Sequence, residues 1–118
     1  MPDIPILAAN DILIVSIQRD PTDSEAEDLQ HRLLERVAKG NARGVAIDLS
    51  GMDVVDSYFC RILRDMAAMV RLMGARTAVV GIPPAVAVTL IELGLTLEGV
   101  HTDLTLDRGL AWLRATDG

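Results

Sequence analysis

Cysteine, aromatic residues and long apolar runs are all scarce in this sequence. Cys60 is the single cysteine of the 118 residues, which excludes an intramolecular disulfide and fits an intracellular protein. Phe, Trp and Tyr occur once each, which leaves no platform of aromatic rings for stacking on single-stranded nucleic acid. No apolar run reaches the roughly 20 residues of a membrane span, and the start MPDIPILAAND lacks the basic segment of a signal peptide. We therefore expect a cytoplasmic protein without a membrane partner.

Positive charge is also limited. The chain has 11 Lys and Arg against 17 Asp and Glu, a net charge of -6. Residues 1–56 contain 11 acidic and 5 basic side chains, whereas residues 57–118 contain 6 of each, so the negative excess belongs to the first half. This balance argues against nucleic acid as a partner. The acidic stretch Asp20–Asp28 surrounds a predicted helix start and is interpreted as a solvated face, with a docking surface for a basic partner as the alternative.

Aliphatic residues, in contrast, are abundant and follow strand and helix periods. Short runs rich in β-branched residues predict strands, and apolar residues at helical spacing between capping and stop signals predict helices. The predicted strands are Ile4–Ala8, Ile12–Ile17, Gly44–Leu49, Thr77–Ile82 and a weaker Val100–Leu104. The predicted helices run from about 23 to 39, from Ser57 to Gly74, from Pro83-Pro84 to Gly94, and from Leu106 to about Ala115.

This order of elements predicts an α/β fold. Right-handed crossovers give a mostly parallel sheet of four to five strands, with an antiparallel N-terminal hairpin strand and about four helices. The length and the lack of linkers or repeats indicate one domain over residues 1–118. Sites in such sheets gather where strand ends meet helix starts, and residues 48–59 form the most polar of these junctions. Function is therefore sought there.

Asp56 and Ser57 stand directly at the start of the second predicted helix. A carboxylate or hydroxyl there satisfies helix N–H groups that lack a partner, so a helix cap is the structural interpretation. The functional interpretation is phosphorylation of Ser57, which would add about 1.5 to 2 negative charges beside Asp53 and Asp56. Because the apolar stripe of this helix begins at Phe59, the Ser57 hydroxyl is expected to be exposed.

Asp48 offers an enzymatic alternative, since a strand-end aspartate resembles the phosphoacceptor of receiver domains. Such a site needs acidic neighbours after the first strand to hold Mg²⁺, because a lone carboxylate is a poor ion site. Here that position has Gln18 and Arg19. Asp48 is therefore interpreted as an acceptor for nearby turn amides.

Cys60 is the other candidate for chemistry. A thiol near a helix N-terminus and next to Arg61 can have a lowered pKa, but no histidine is placed by sequence to act as its base. Packing is the interpretation we favour. His31 and His101 also lack the spacing of metal ligands, so we expect no enzyme activity, no metal and no cofactor.

The junction carries a family resemblance. Asp48–Leu63, DLSGMDVVDSYFCRIL, resembles the phosphorylation motif of STAS domains, the anti-sigma factor antagonist family, in which a strand ending in Asp-Leu-Ser leads to an Asp-Ser pair at a helix start. PILAANDILIVSIQ, RLMGAR (71–76) and GIPPAVAVTLIELGL (81–95) are similar to the RsbS-type branch, the small scaffolds of the bacterial stressosome. The resemblance extends from about Ile4 to Leu113, and its implied fold agrees with the predicted elements.

The resemblance implies a non-enzymatic scaffold and switch in signal transduction. STAS paralogues of the RsbR type would assemble with the chain into a large cage, or the chain would form a homo-oligomer. A serine kinase of the RsbT type would be sequestered there, phosphorylate Ser57 and leave, and a phosphatase of the RsbX type would reset the serine. Asp53, Asp56, Tyr58 and Arg61 are the implied neighbours of the acceptor on the docking surface.

Two other hypotheses stay open. One is a free anti-sigma factor antagonist that binds an anti-sigma kinase one to one; sporulation-type antagonists follow the serine with Ser-Gly, whereas this chain has Tyr58-Phe59. The other is an enzyme reactive at Asp48 or Cys60. Ser50 and Thr89 are the next candidates for phosphorylation after Ser57.

Overall fold

The structure is a computed structural model that describes residues 3–115; the ends of the predicted domain, residues 1–2 and 116–118, lie outside the described residues. Strands and helices alternate along these residues after an initial pair of strands. In chain order the elements are β1 (Ile6–Ala9), β2 (Ile12–Ser16), α1 (Asp23–Ala38), β3 (Gly44–Asp48), α2 (Ser57–Leu72), β4 (Arg76–Val80), α3 (Pro84–Glu92), β5 (His101–Asp103) and α4 (Leu106–Ala115).

The strands form one sheet in the order β1-β2-β3-β4-β5. β1 pairs antiparallel with β2, and every later neighbour is parallel. The predicted fold class, with its N-terminal hairpin strand and its helices, is therefore confirmed.

The two faces of the sheet are covered by different helices. Odd-numbered strand residues such as Leu13, Val45 and Val79 pack with α1, α2 and α3, whereas Ile12, Ala46 and Ala78 pack with α4. Side chains alternate between the faces of a strand, so a continuous apolar run supplies both layers. Successive strands step in one direction across the sheet, and right-handed crossovers then place their three connecting helices on the same face.

Strand ends differ from the predictions by one or two residues for local reasons. β1 begins at Ile6 rather than Ile4, whose carbonyl oxygen accepts a hydrogen bond from the Arg32 guanidinium at 2.8 Å. β4 ends at Val80 rather than Ile82 because Gly81 turns the chain with a φ of 64°. The third helix follows at Pro84, where proline is favoured in the first turn.

Gly51 lets the loop after β3 lie directly against the loop after β2. A Cβ atom at this position would stand 2.6 Å from the Gln18 Cα and 2.6 Å from the Ile17 carbonyl oxygen. Both of these are backbone atoms, which cannot move away as the end of a side chain can. Gly51 therefore sets how closely the two loops approach at the polar end of the sheet.

We expect Gly51→Ala to lower the free energy of unfolding by about 1–3 kcal/mol, the usual cost of inserting a methyl group where the backbone must shift. Chemical denaturation measures this value. Ser50→Ala is the matched control, because Ser50 is an exposed neighbour in the same turn, and its effect should stay within about 0.5 kcal/mol. Equal stability of Gly51→Ala and wild type would show that the close approach is not needed.

Candidate functional site

The polar junction lies at the carboxyl end of β3, between the loops that follow β2 and β4. Ser57 is the first residue of α2, and Asp56 is its N-cap, with a side-chain oxygen accepting the Phe59 N–H at 2.8 Å. The capping interpretation of Asp56 is therefore confirmed. Asp48 ends β3 and accepts the Ser50 N–H at 2.9 Å, which confirms its interpretation as a turn-bonding aspartate.

The apolar stripe predicts an exposed Ser57 hydroxyl, and in the structure Ser57 as a whole residue is half-buried. Phe59 does turn into the core, at 3% exposure. The neighbours Asp56 and Arg61 are exposed, and Tyr58 is half-buried. Among residues 3–115, none forms a hydrogen bond with the Ser57 hydroxyl, which belongs to the first residue of α2.

Asp20, in the loop after β2, holds the segment that precedes Ser57. One of its carboxylate oxygens accepts the N–H groups of Asp53 at 2.9 Å and of Val54 at 3.1 Å. Asp20 belongs to the acidic stretch interpreted above as a solvated face, and this role was not predicted from the sequence. A short polar side chain in a loop is typical of residues that accept backbone N–H groups. The partners here are 33 and 34 residues away in the sequence, so no local pattern identifies them.

Tyr58 connects the start of α2 to α1 by donating its hydroxyl to the Glu27 carboxylate. This hydrogen bond raises the pKa of Tyr58 to about 12, with smaller effects from burial and from the negative charges of Glu27 and Asp23. The aromatic ring that follows the serine is therefore fixed in position. Glu27 is the second residue of the acidic stretch that has a structural partner at this junction.

The acidic stretch is thus only partly a solvated face. Glu25 forms a capping box with Thr22 at the start of α1 and also pairs with Arg19, whose hydrogen bond lowers the pKa of Glu25 to about 2. Asp20 and Glu27 instead reach across to the junction. Asp53 and Asp56, the site residues predicted from the sequence, are exposed on the segment that precedes Ser57.

Cys60 is fully buried, and burial raises the pKa of its thiol, with the charge of Asp56 adding to the effect. The alternative of a thiolate with a lowered pKa is wrong, since desolvation outweighs the nearby Arg61 charge. Cys60 belongs to the packed core beneath Ser57.

The two histidines, His31 and His101, have partners outside the polar junction. His31 pairs with Glu35 on α1 at 3.0 Å, and His101 stacks on Trp112 with ring centroids 4.4 Å apart. Within residues 3–115, no cluster of three His, Cys, Asp or Glu side chains is arranged to hold a metal ion. None of the helices in that same range is long and apolar enough to cross a membrane.

Three features together are typical of one family of domains. They are the sheet order, the position of α4 on the face opposite the other three helices, and the Asp-Ser pair at the start of α2. The STAS domain model matches residues 3–109, and the chain belongs to the STAS domain family. It is similar to a serine-to-glutamate variant of RsbS from Moorella thermoacetica, with a TM-score of 0.85, 35% identity and 94% coverage of each chain.

Other relatives extend this picture. A chain from a structure of the stressosome, described as a signal integration and transduction hub, has a TM-score of 0.78, 34% identity, and coverage of 93% of this chain and 96% of that one. RsbT co-antagonist protein RsbRA of Bacillus subtilis is 35% identical over 85 residues, 72% of this chain and 31% of the relative. The chain thus spans about a third of the length of that curated relative.

We predict that Glu27→Gln lowers the pKa of Tyr58 from about 12 towards the ordinary value near 10. Tyr58 is the only tyrosine, so its phenolate absorbance reports the titration directly. Because the folded-state pKa is the higher one, the bond stabilises the fold below about pH 10 and this stabilisation is lost as pH rises through about 12. Glu35→Gln, on the same helix but bonded to His31, is the control. An unchanged titration in Glu27→Gln would contradict the contact.

Proposed function

We propose that this chain is a non-enzymatic scaffold and phosphoswitch of a bacterial stressosome, which sequesters a serine kinase of the RsbT type and releases it when Ser57 is phosphorylated. The observation that carries the proposal is Ser57 itself: a half-buried serine with no hydrogen bond to any described residue, at the start of α2, in a chain that matches RsbS over nearly its whole length. The RsbR relatives are described as RsbT co-antagonists, which supports the choice of partner.

The position of Ser57 allows phosphorylation without unfolding. A phosphate at the N-terminus of a helix is favoured by the helix dipole and by N–H groups in the first turn. Arg61 lies four residues further along α2 and is exposed, so its guanidinium is on the same helical face and within reach of that phosphate. The fold therefore tolerates the modification.

The same position makes the modification effective against a bound partner. Asp53 and Asp56 are exposed beside Ser57, and Asp20 and Glu27 form hydrogen bonds with Asp53 and Tyr58 of the same segment. A phosphate adds about 1.5 to 2 negative charges to this surface. A kinase surface that docks there loses complementarity, and release needs only about 1.5 to 3 kcal/mol of weakened binding.

The partners follow from the same proposal. STAS domains of RsbR-type paralogues pack beside this chain in a large cage, and a phosphatase of the RsbX type removes the phosphate from Ser57. Asp56 is the acidic neighbour of the acceptor and also its helix cap, whereas Asp53, Tyr58 and Arg61 surround it on the docking surface. No cofactor takes part.

We predict that Ser57→Ala holds the kinase whether or not ATP is present, because the release signal cannot be added. Ser57→Asp should release it partly, since one carboxylate carries less charge than a phosphate. Kinase affinity is measured by calorimetry for the wild type, both variants and the phosphorylated protein, with circular dichroism as the check of folding. Ser50→Ala and Thr89→Ala are the controls, and both should behave as wild type.

Equal kinase affinities across this series would rule out the switch. Labelling by the kinase that persists in Ser57→Ala and disappears in a control variant would move the acceptor to Ser50 or Thr89.

We also predict that co-expression with an RsbR-type paralogue gives a megadalton complex, because closed symmetry repeats a small set of interfaces around a shell. Light scattering after size exclusion measures the mass. A free antagonist, the alternative function, would elute as a small species with or without the paralogue. Recovery of only monomers and dimers over a broad concentration range would favour that alternative.

A further inference from the structure

Val54 is a large apolar side chain displayed next to the candidate phosphorylation site. Val54 is 70% exposed, although Met52 and Val55 in the same loop pack against the core. It lies three residues before Ser57, so their Cα atoms are at most about 11 Å apart. Single exposed apolar residues are common, and exposure alone assigns no role to Val54.

The backbone of Val54 is held by a hydrogen bond to a side chain from another loop. Its N–H and that of Asp53 are both bonded to one oxygen of Asp20, at 3.1 Å and 2.9 Å. Two residues later Asp56 caps α2, so the segment is fixed at both ends. A side chain displayed on a fixed backbone loses little conformational entropy when a partner covers it.

Phosphorylation itself requires that a protein surface cover this region. Ser57 is half-buried on a folded helix, so a kinase must bring its active-site cleft onto the domain surface. A standard interface covers roughly 800 Å² on each partner, equivalent to a disc of about 16 Å radius. Such a footprint around Ser57 includes Val54, which is the large exposed apolar side chain at this junction.

The surroundings of Val54 define the partner surface that fits it. Asp53 and Asp56 flank it in sequence and are exposed, and the Asp20 carboxylate lies beneath it. An exposed apolar side chain on an acidic segment complements a small apolar pocket with a basic rim. Binding energy in interfaces concentrates in such anchors, which are sealed from water by polar contacts around them.

We propose that Val54, positioned by Asp20, is the apolar anchor through which the kinase that modifies Ser57 docks on this domain. The inference rests on the proposed function, since it names the contact that would hold the sequestered kinase. Asp20 is a positioning residue in this arrangement, because it acts through the backbone of Val54.

The test compares kinase affinity for Val54→Ser and Leu72→Ser by calorimetry. Leu72 is 88% exposed at the far end of α2, about 22 Å from Ser57 at 1.5 Å per residue, and it serves as the control for lost apolar surface. Val54→Ser should weaken binding about tenfold and slow phosphorylation of Ser57, whereas Leu72→Ser should match the wild type within about twofold.

A second pair of variants tests the positioning role. Asp20→Asn keeps an oxygen that accepts the two N–H groups, whereas Asp20→Ala removes it. Hydrogen exchange at Asp53 and Val54 should accelerate in Asp20→Ala only, and its kinase affinity should fall below that of Asp20→Asn.

Wild-type affinity in Val54→Ser would overturn the inference and leave the proposed function intact. Loss of self-association in Val54→Ser with unchanged kinase affinity would assign the valine to a contact between copies and would also overturn it. Absence of kinase binding by the wild type would remove the proposed function and this anchor together.

Discussion

Burial of β3 on both faces is the constraint on which the remaining structure depends. Residues 44–47 are buried, with Val45 and Ile47 on the side of α1, α2 and α3 and Ala46 on the side of α4. A strand of this kind cannot face water on either side, so helices must cover both. The small side chains of Ala46 and Ala78 let α4 lie close to the sheet. Polar residues are consequently displaced to the strand ends, where Asp48 begins the junction that leads to Ser57.

Carboxylates at this junction accept hydrogen bonds from the backbone and from a side chain. Asp48, Asp56 and Asp20 each accept backbone N–H groups, so they fix the loop and the helix start. Glu27 adds a bond to the Tyr58 hydroxyl. The interactions that build the site therefore place four carboxyl groups at the junction that contains Ser57. A structural requirement and an electrostatic property thus share the same atoms.

A rigid platform suits a switch that acts through charge. The segment before Ser57 is fixed by hydrogen bonds, and Phe59 and Cys60 just after it are anchored in the core. In the proposed switch, a phosphate on Ser57 changes the surface potential while the packing beneath it stays as it is. The same fold is shared with RsbS over 94% of both chains.

The sequence by itself determined the elements, their order and the Asp56-Ser57 pair, because helix caps, strand periodicity and Gly or Pro stops depend on residues within a few positions of one another. The Thr22 and Glu25 capping box, three residues apart, is an example. Only the tertiary structure decided that Asp20 holds Val54 and that Glu27 binds Tyr58, contacts that join residues 34 and 31 positions apart. The tertiary structure also decided that Ser57 is half-buried. The physical reason is that the first contact depends on how closely the loops after β2 and β3 approach, which Gly51 allows, and the second on how α1 packs against α2; no local pattern contains either distance.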